Sequence, residues 1–223
     1  DLLAALRLAE GSNDVRVIVL KGEGRGFCAG ADLSEGVDKA VDQMLEEEYK
    51  PFLLAIAESS KICIAQVHGS AAGIAGALAM VCDIVVMAED AYLYLAFAAI
   101  GLVPDGGLTW HLLRAMGYRR AFETIVEGQK LDAQTCLNFG IANELVAPDA
   151  LDAHVAEKAR KLAEGAPLAQ AAVKRLLRQV GSVSLADAIS LEAKEQQPLT
   201  ETSDCREAIA AFFKKEKPVF KGQ

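Results

Sequence analysis

Gly24–Leu33 (GRGFCAGADL) and Gly69–Gly76 (GSAAGIAG) are two glycine-rich stretches, each downstream of a β-branched run, Val15–Lys21 (VRVIVLK) and Ile62–Val67 (ICIAQV). Apolar runs of that length read as buried strands. Glycine and alanine at the strand exits let backbone N–H groups come close to a ligand oxygen, and two such loops can aim two donors at one point. Taken singly, each loop is equally a piece of ordinary strand-to-helix geometry. A third stretch, Gly101–Gly107 (GLVPDGG), sets one carboxylate, Asp105, among glycines and a proline, where a side chain can be held beside a reacting carbon.

Outward from these loops the periodicities alternate. Asp1–Ala9 has helical spacing, Val37–Ser59 is acidic and then amphipathic, and the small-residue stretch Gly73–Val81 suits a helix packed close to a sheet. Asp83–Met87 (DIVVM) reads as a third strand; Leu108–Met116 and Arg119–Glu127 read as helices, and Ala142–Val146 as a β-type run. Gly165-Ala166-Pro167 breaks the pattern ahead of a helical tail, with Pro167 suited to a first helical turn and Leu168, Ala172 and Leu176 on one face. Strands alternating with helices predict an α/β fold, divided into a core over 1–164 and a helical region over 165–223.

A chain of 223 residues with 52% hydrophobic content can bury a large core. Its net charge of −8 argues against a nucleic-acid surface, although a local basic cluster can still hold a phosphate. The five cysteines, Cys28, Cys63, Cys82, Cys136 and Cys205, are odd in number and widely spaced, which suits a reducing, cytoplasmic setting and offers no zinc motif. No apolar run reaches membrane-spanning length, so membrane insertion is not expected.

In order and spacing, FCAGADL, VHGSAAGIAGALAMVCDI and IGLVPDGGLTW, followed by Leu131–Val146 (LDAQTCLNFGIANELV) and Ala211–Gly222 (AFFKKEKPVFKG), resemble the crotonase (enoyl-CoA hydratase/isomerase) superfamily. The resemblance implies a spiral of ββα turns with a C-terminal helical region that builds trimers or dimers of trimers. It also implies a strand segment ahead of the first helix, so an N-terminal piece is expected to be missing from this sequence. The implied ligand is an acyl-coenzyme A thioester, taken as substrate with no separate cofactor and no metal. By the same resemblance, the N–H groups of Ala31 and Ile74 are the oxyanion donors, where relatives usually carry glycine or alanine in place of Ile74.

The two glutamates that activate water in the related hydratases fall on Ala77 and Phe97, neither of which can transfer a proton. Asp105 falls where isomerase-type relatives carry their catalytic carboxylate, and the expectation is therefore a 3-enoyl-CoA to 2-enoyl-CoA isomerase. As a purely structural alternative, Asp105 caps the helix that starts near Leu108. Gly30 and Gly73 shape the loops, and the backbone of Ala29 and Ala31 is the expected partner of the adenine. Phe97 and Trp110 are expected near the acyl group, with core packing the alternative for Trp110. Lys214 and Lys217, beside Lys215, are expected at the coenzyme A phosphates, with Arg25 and Lys21 as further contacts; a solvated helix end explains the tail lysines equally well. His68, Cys28, Asp32 and Asp83 read as structural. Within the family the alternative is another reaction, such as ring or epoxide isomerisation, dehalogenation or weak hydration, and a catalytically silent coenzyme A-binding trimer is the alternative from a different class.

Overall fold

The computed structural model describes residues 1–32 and 40–223. The expectations for Leu33 and for the helix start at Val37 to Lys39 lie outside the described residues. In chain order the elements are α1 (Leu2–Gly11), β1 (Val17–Lys21), α2 (Val41–Met44), a π-helical turn (Leu45–Tyr49), α3 (Lys50–Glu58), β2 (Ile62–Val67), β3 (Ser70–Ala72), α4 (Ile74–Val81), β4 (Ile84–Ala88) and β5 (Tyr92–Tyr94). There follow a 3-10 turn (Ala96–Ile100), α5 (Leu108–Val126), β6 (Lys130–Asp132), α6 (Ala133–Asn138), β7 (Glu144–Val146), α7 (Leu151–Ala163), α8 (Pro167–Val180), α9 (Leu185–Thr200) and α10 (Ser203–Lys214).

Four strands in the order β1-β2-β4-β7 form a parallel sheet. β2 is flanked on both sides, and its residues from Cys63 to Val67 are all buried, which is why ICIAQV shows no apolar–polar alternation. A second, smaller sheet in the order β3-β5-β6 pairs Ser70–Ala72 in parallel with Tyr92–Tyr94, and those antiparallel with Lys130–Asp132. Its strands are three residues each, too short for a periodicity, so the sequence reading leaves them as loop. The Leu108–Val126 run is interrupted at Gly117 (φ 73°, ψ 165°), matching the expected break between two helices. The π-turn has a local cause. Pro51 lacks the N–H that would return to the Glu47 carbonyl, and the Lys50 N–H reaches back five residues to Leu45.

α4 sits in the middle of the core with Ile74, Ala75, Gly76, Ala77, Ala79 and Val81 buried. Its small side chains permit the close packing: at Gly76 a methyl group would already stand in van der Waals contact with Leu108, at 3.4 Å, leaving no room for a larger side chain. The tail is fastened to this core by a charge. On α8 the residue buried with Ala171 and Ala172 is Lys174, whereas Leu168 is exposed, so the face expected from Leu168, Ala172 and Leu176 is rotated. The Lys174 ammonium donates to the carbonyls of Ile56 (2.8 Å) and Lys61 (3.0 Å) and to Asp83 Oδ2 (2.8 Å). Asp83 also accepts from the Cys63 N–H at 2.8 Å and faces Arg178 at 3.4 Å, so its expected structural role holds. No described helix is long and apolar enough to cross a membrane.

Removing one member of such a buried pair strands the other without compensation, at about 3–5 kcal/mol. Lys174→Met is therefore expected to destabilise the fold by that order in urea unfolding, whereas Lys194→Met on the exposed face of α9 should change it by less than about 0.5 kcal/mol.

Candidate active site

The two glycine loops meet because the chain after β1 runs beside β3. The Phe27 N–H donates to the His68 carbonyl at 2.9 Å, Cys28 to Ser70 at 3.2 Å, and Ala72 back to Cys28 at 3.0 Å, making a parallel bridge between Cys28 and Ala71. At the end of this bridge Gly30 lies over the second loop. A methyl group at position 30 would come 2.8 Å from the Ala72 carbonyl oxygen, and φ is +91°, so only glycine fits without displacing backbone. The next residue of the first loop is Ala31, and the one that follows Gly73 in the second is Ile74.

Ile74 is the first residue of α4, where an N–H has no partner within its own helix. Neither the Ala31 nor the Ile74 N–H donates to a backbone acceptor among the described residues. The α4 N-terminus adds a favourable dipole for negative charge at the same place. The Ile74 side chain is buried, directed into the packing around Leu53 and Gly106.

Beside Gly30 and Ile74 opens a cavity of about 410 Å³ lined also by Cys28 of the first loop, Ala75 and Leu78 of α4, Glu48, Tyr49, Phe52 and Leu53 of the π-turn and α3, and Asp1, Leu2 and Leu3 at the start of α1. It is apolar apart from a few groups, as small-molecule sites generally are. The wall from α3 escaped the sequence reading; Tyr49, Phe52 and Leu53 stand at the three- and four-residue spacing that puts them on one helix face, and that was the available signal.

The third loop packs onto this wall. At Gly106 a methyl group would meet Ile74 Cγ1 and Ala77 Cβ at 2.9 Å each and Leu53 Cδ1 at 3.2 Å. Asp105 is thereby anchored one residue before the glycine that packs on the Ile74 side chain. Its Oδ1 is buried and without a hydrogen-bond partner among the described residues. Burial, the largest cause, raises its pKa above the ordinary 3.8, against a weaker lowering by its own backbone N–H. The alternative role as helix cap fails. α5 is capped at Gly107 with no side-chain bond, and it is the Asp105 backbone carbonyl that takes the Leu108 N–H at 3.0 Å.

The remaining expected residues divide. Phe97 is buried, with its Cζ 3.9 Å from where a Gly73 side chain would begin, behind the second loop. Trp110 is placed elsewhere: it is 46% exposed and lines a separate cavity with His111, Asp83 and Arg178. Leu108 and Leu112 of the same helix point inward, so a residue midway between them faces away, and the acyl-pocket reading of Trp110 is withdrawn. His68 is tied to the first loop through its Nε2 and the Gly24 carbonyl at 3.1 Å. Ala29 and Ala31 are exposed. Lys217 pairs with Glu164 at 2.5 Å and Lys21 with Asp152 at 3.6 Å, whereas Lys214 ends α10 without an ion-pair partner among the described residues.

The sequence matches the enoyl-CoA hydratase/isomerase family over residues 1–223. It is 38% identical to a Rhodobacter capsulatus protein named "Probable enoyl-CoA hydratase" and 32% identical to the Escherichia coli 1,2-epoxyphenylacetyl-CoA isomerase, each time over all of this chain and 87% of the relative. The fold superposes on the crystal structure of an enoyl-CoA hydratase from Bacillus anthracis with a TM-score of 0.93 at 28% identity, covering all of this chain and 87% of that one. The chain belongs to the enoyl-CoA hydratase/isomerase family and has the crotonase fold, an enzyme family acting on acyl-CoA.

The raised Asp105 pKa has a sign that can be measured. A folded-state pKa above the unfolded one means that the native state binds the proton more tightly, so stability declines as pH rises from about 3.8 through the folded pKa. Asp105→Asn is expected to unfold at a higher temperature than wild type at pH 7, and this advantage should vanish when the scans are repeated below pH 3.8.

Proposed function

We propose that this protein moves a carbon–carbon double bond, converting 3-enoyl-CoA into 2-enoyl-CoA, with Asp105 as the single acid–base group. The observation that carries the reading is the buried, unpartnered Oδ1 of Asp105 beside the wall that holds Ile74. A carboxylate kept dry and without a structural bond is poised to take a proton, and general acid–base help of this kind is worth about 10²–10⁴ in rate.

In this reaction the carboxylate removes a proton from C2, and the electron pair left behind spreads onto the thioester oxygen as an enolate. The N–H groups of Ala31 and Ile74 stabilise that oxygen, each by about 2.7–4 kcal/mol. The Asp105 carboxylic acid then returns its proton at C4 while the double bond forms between C2 and C3, so proton and electrons balance with no further group. Hydration is disfavoured by the same site. Ala77 lies against Gly106 and Phe97 is packed behind Gly73, so the two positions that would hold water carry an apolar methyl and a ring. Loss of those two carboxylates would also suit a silent coenzyme A-binding protein, which the assay below separates.

Lys214, free of an intramolecular partner among the described residues, is the tail lysine proposed for a coenzyme A phosphate; the Lys217–Glu164 pair is exposed and exchanges at little cost. α8 to α10 leave Leu177, Leu185, Ile189, Phe212 and Phe213 exposed, an apolar surface that supports a trimer or a dimer of trimers.

Incubated with 3-hexenoyl-CoA, the wild type should yield 2-hexenoyl-CoA, and Asp105→Asn should lose at least a hundredfold in kcat while still binding the thioester. Rapid hydration of 2-hexenoyl-CoA by the wild type, or undiminished isomerisation by Asp105→Asn, would overturn the assignment; binding without turnover would favour the silent alternative. Light scattering is expected to give a mass that is a multiple of three chains, and a stable monomer would contradict the assembly.

A further inference from the structure

Across the cavity from the two loops stands a group that the double-bond shift does not use. Tyr49 closes the π-turn Leu45–Tyr49 and lines the cavity with Phe52 and Leu53 on one side and Cys28 and Ile74 on the other. Among the described lining residues it is the one that carries a hydroxyl; Glu48 and Asp1, which also line the cavity, carry carboxylates. That hydroxyl has no hydrogen-bond partner among the described residues, although the ring is packed against the core. Burial first, then the carboxylates of Asp105 and Glu48, push the phenol above its ordinary value of 10.0, so it is a proton donor throughout the neutral range.

The placement is built. Tyr49 shares one helix face with Phe52 and Leu53, three and four residues on, and it is the last residue of the π-turn. Pro51 enforces that turn, so the hydroxyl is held over the cavity by backbone rather than by a bond of its own. Single π-turns of this kind recur at functional sites.

A hydrocarbon chain entering this cavity takes water away from the hydroxyl and gives nothing back, whereas an oxygen on the chain restores the bond. Sites that carry such a donor discriminate against the analogue lacking its acceptor, because the buried polar group is then left unpaired. We propose that Tyr49 is a specificity-determining residue, whose hydroxyl selects acyl-CoA thioesters bearing an oxygen acceptor on the acyl chain beyond the reacting carbons. The inference rests on the reading of this cavity as the acyl site; it does not depend on the double-bond shift.

The test uses saturated thioesters, which cannot turn over. Binding of hexanoyl-CoA, 5-hydroxyhexanoyl-CoA and 6-hydroxyhexanoyl-CoA is measured by calorimetry for the full chain and for Tyr49→Phe. One of the two hydroxylated thioesters is expected to bind the wild type about tenfold more tightly than hexanoyl-CoA, the scale of one added hydrogen bond. Tyr49→Phe should erase that advantage and leave hexanoyl-CoA affinity within about twofold. Equal binding of all three by the wild type, an advantage that survives in Tyr49→Phe, or an equal loss for all three in the variant would each overturn the proposal. Should Tyr49→Phe fail to fold, Tyr49→Met carries the same comparison, and absence of a preference in the wild type overturns the proposal without either variant. Failure of 3-hexenoyl-CoA isomerisation leaves this result standing, and absence of a hydroxyl preference leaves the isomerase reading standing, so the two fail separately.

Discussion

A methyl group at position 30 would lie 2.8 Å from the carbonyl oxygen of Ala72, and everything the site can do follows from that closeness. Two strand exits from different parts of the chain are brought into contact by one parallel bridge between Cys28 and Ala71. Backbone alone could not hold them there, because a bridge of so few bonds is weak. The contact is sustained by the layers on either side: the parallel sheet beneath the first loop, and α4, whose alanines and glycine let it settle into the core beneath the second. Small residues in α4 are thus part of the site's geometry even where they never face a ligand.

Two half-buried aspartates show how differently one side chain can be treated. Asp83 receives a backbone N–H, an ammonium and a guanidinium, which together ground its charge and staple α8 to the core. Asp105 receives none of these, and one of its oxygens is buried without any partner among the described residues. In a protein interior an ionised group so treated costs stability, and such a cost persists where a group is held for chemistry. Asp83 follows the C-terminus of α4, whereas Asp105 precedes the glycine that packs on Ile74 and Ala77 of the same helix.

Most of the large sheet was legible in the sequence, since VRVIVLK, ICIAQV and DIVVM are continuous apolar runs and a parallel buried strand demands nothing else. The break at Gly117 and the start of α8 at Pro167 were legible for equally local reasons, a positive φ and a fixed one. The second sheet was not, because Ser70–Ala72, Tyr92–Tyr94 and Lys130–Asp132 are each too short to show a period and exist only through their partners. Trp110 illustrates the same limit at the site: aromatic and close in sequence to Asp105, it lies two residues along α5 from Leu108 and so faces away from it.

What the sequence determined by itself was the inventory: two small-residue loops, one carboxylate between glycines, and no carboxylate at Ala77 and Phe97, the positions that only the family resemblance singles out. These are properties of residue type and spacing, and they survive any folding of the chain that keeps the order of strands and helices. What only the tertiary structure decided was which groups share a space and which are already taken. Asp105 is free of a helix cap because Gly107 caps α5, and Lys174 is inside and Leu168 outside because a carboxylate on β4's approach pulls that face of α8 inward. Each outcome depends on partners distant in sequence or on a competition for hydrogen bonds, and neither is written in a one-dimensional pattern.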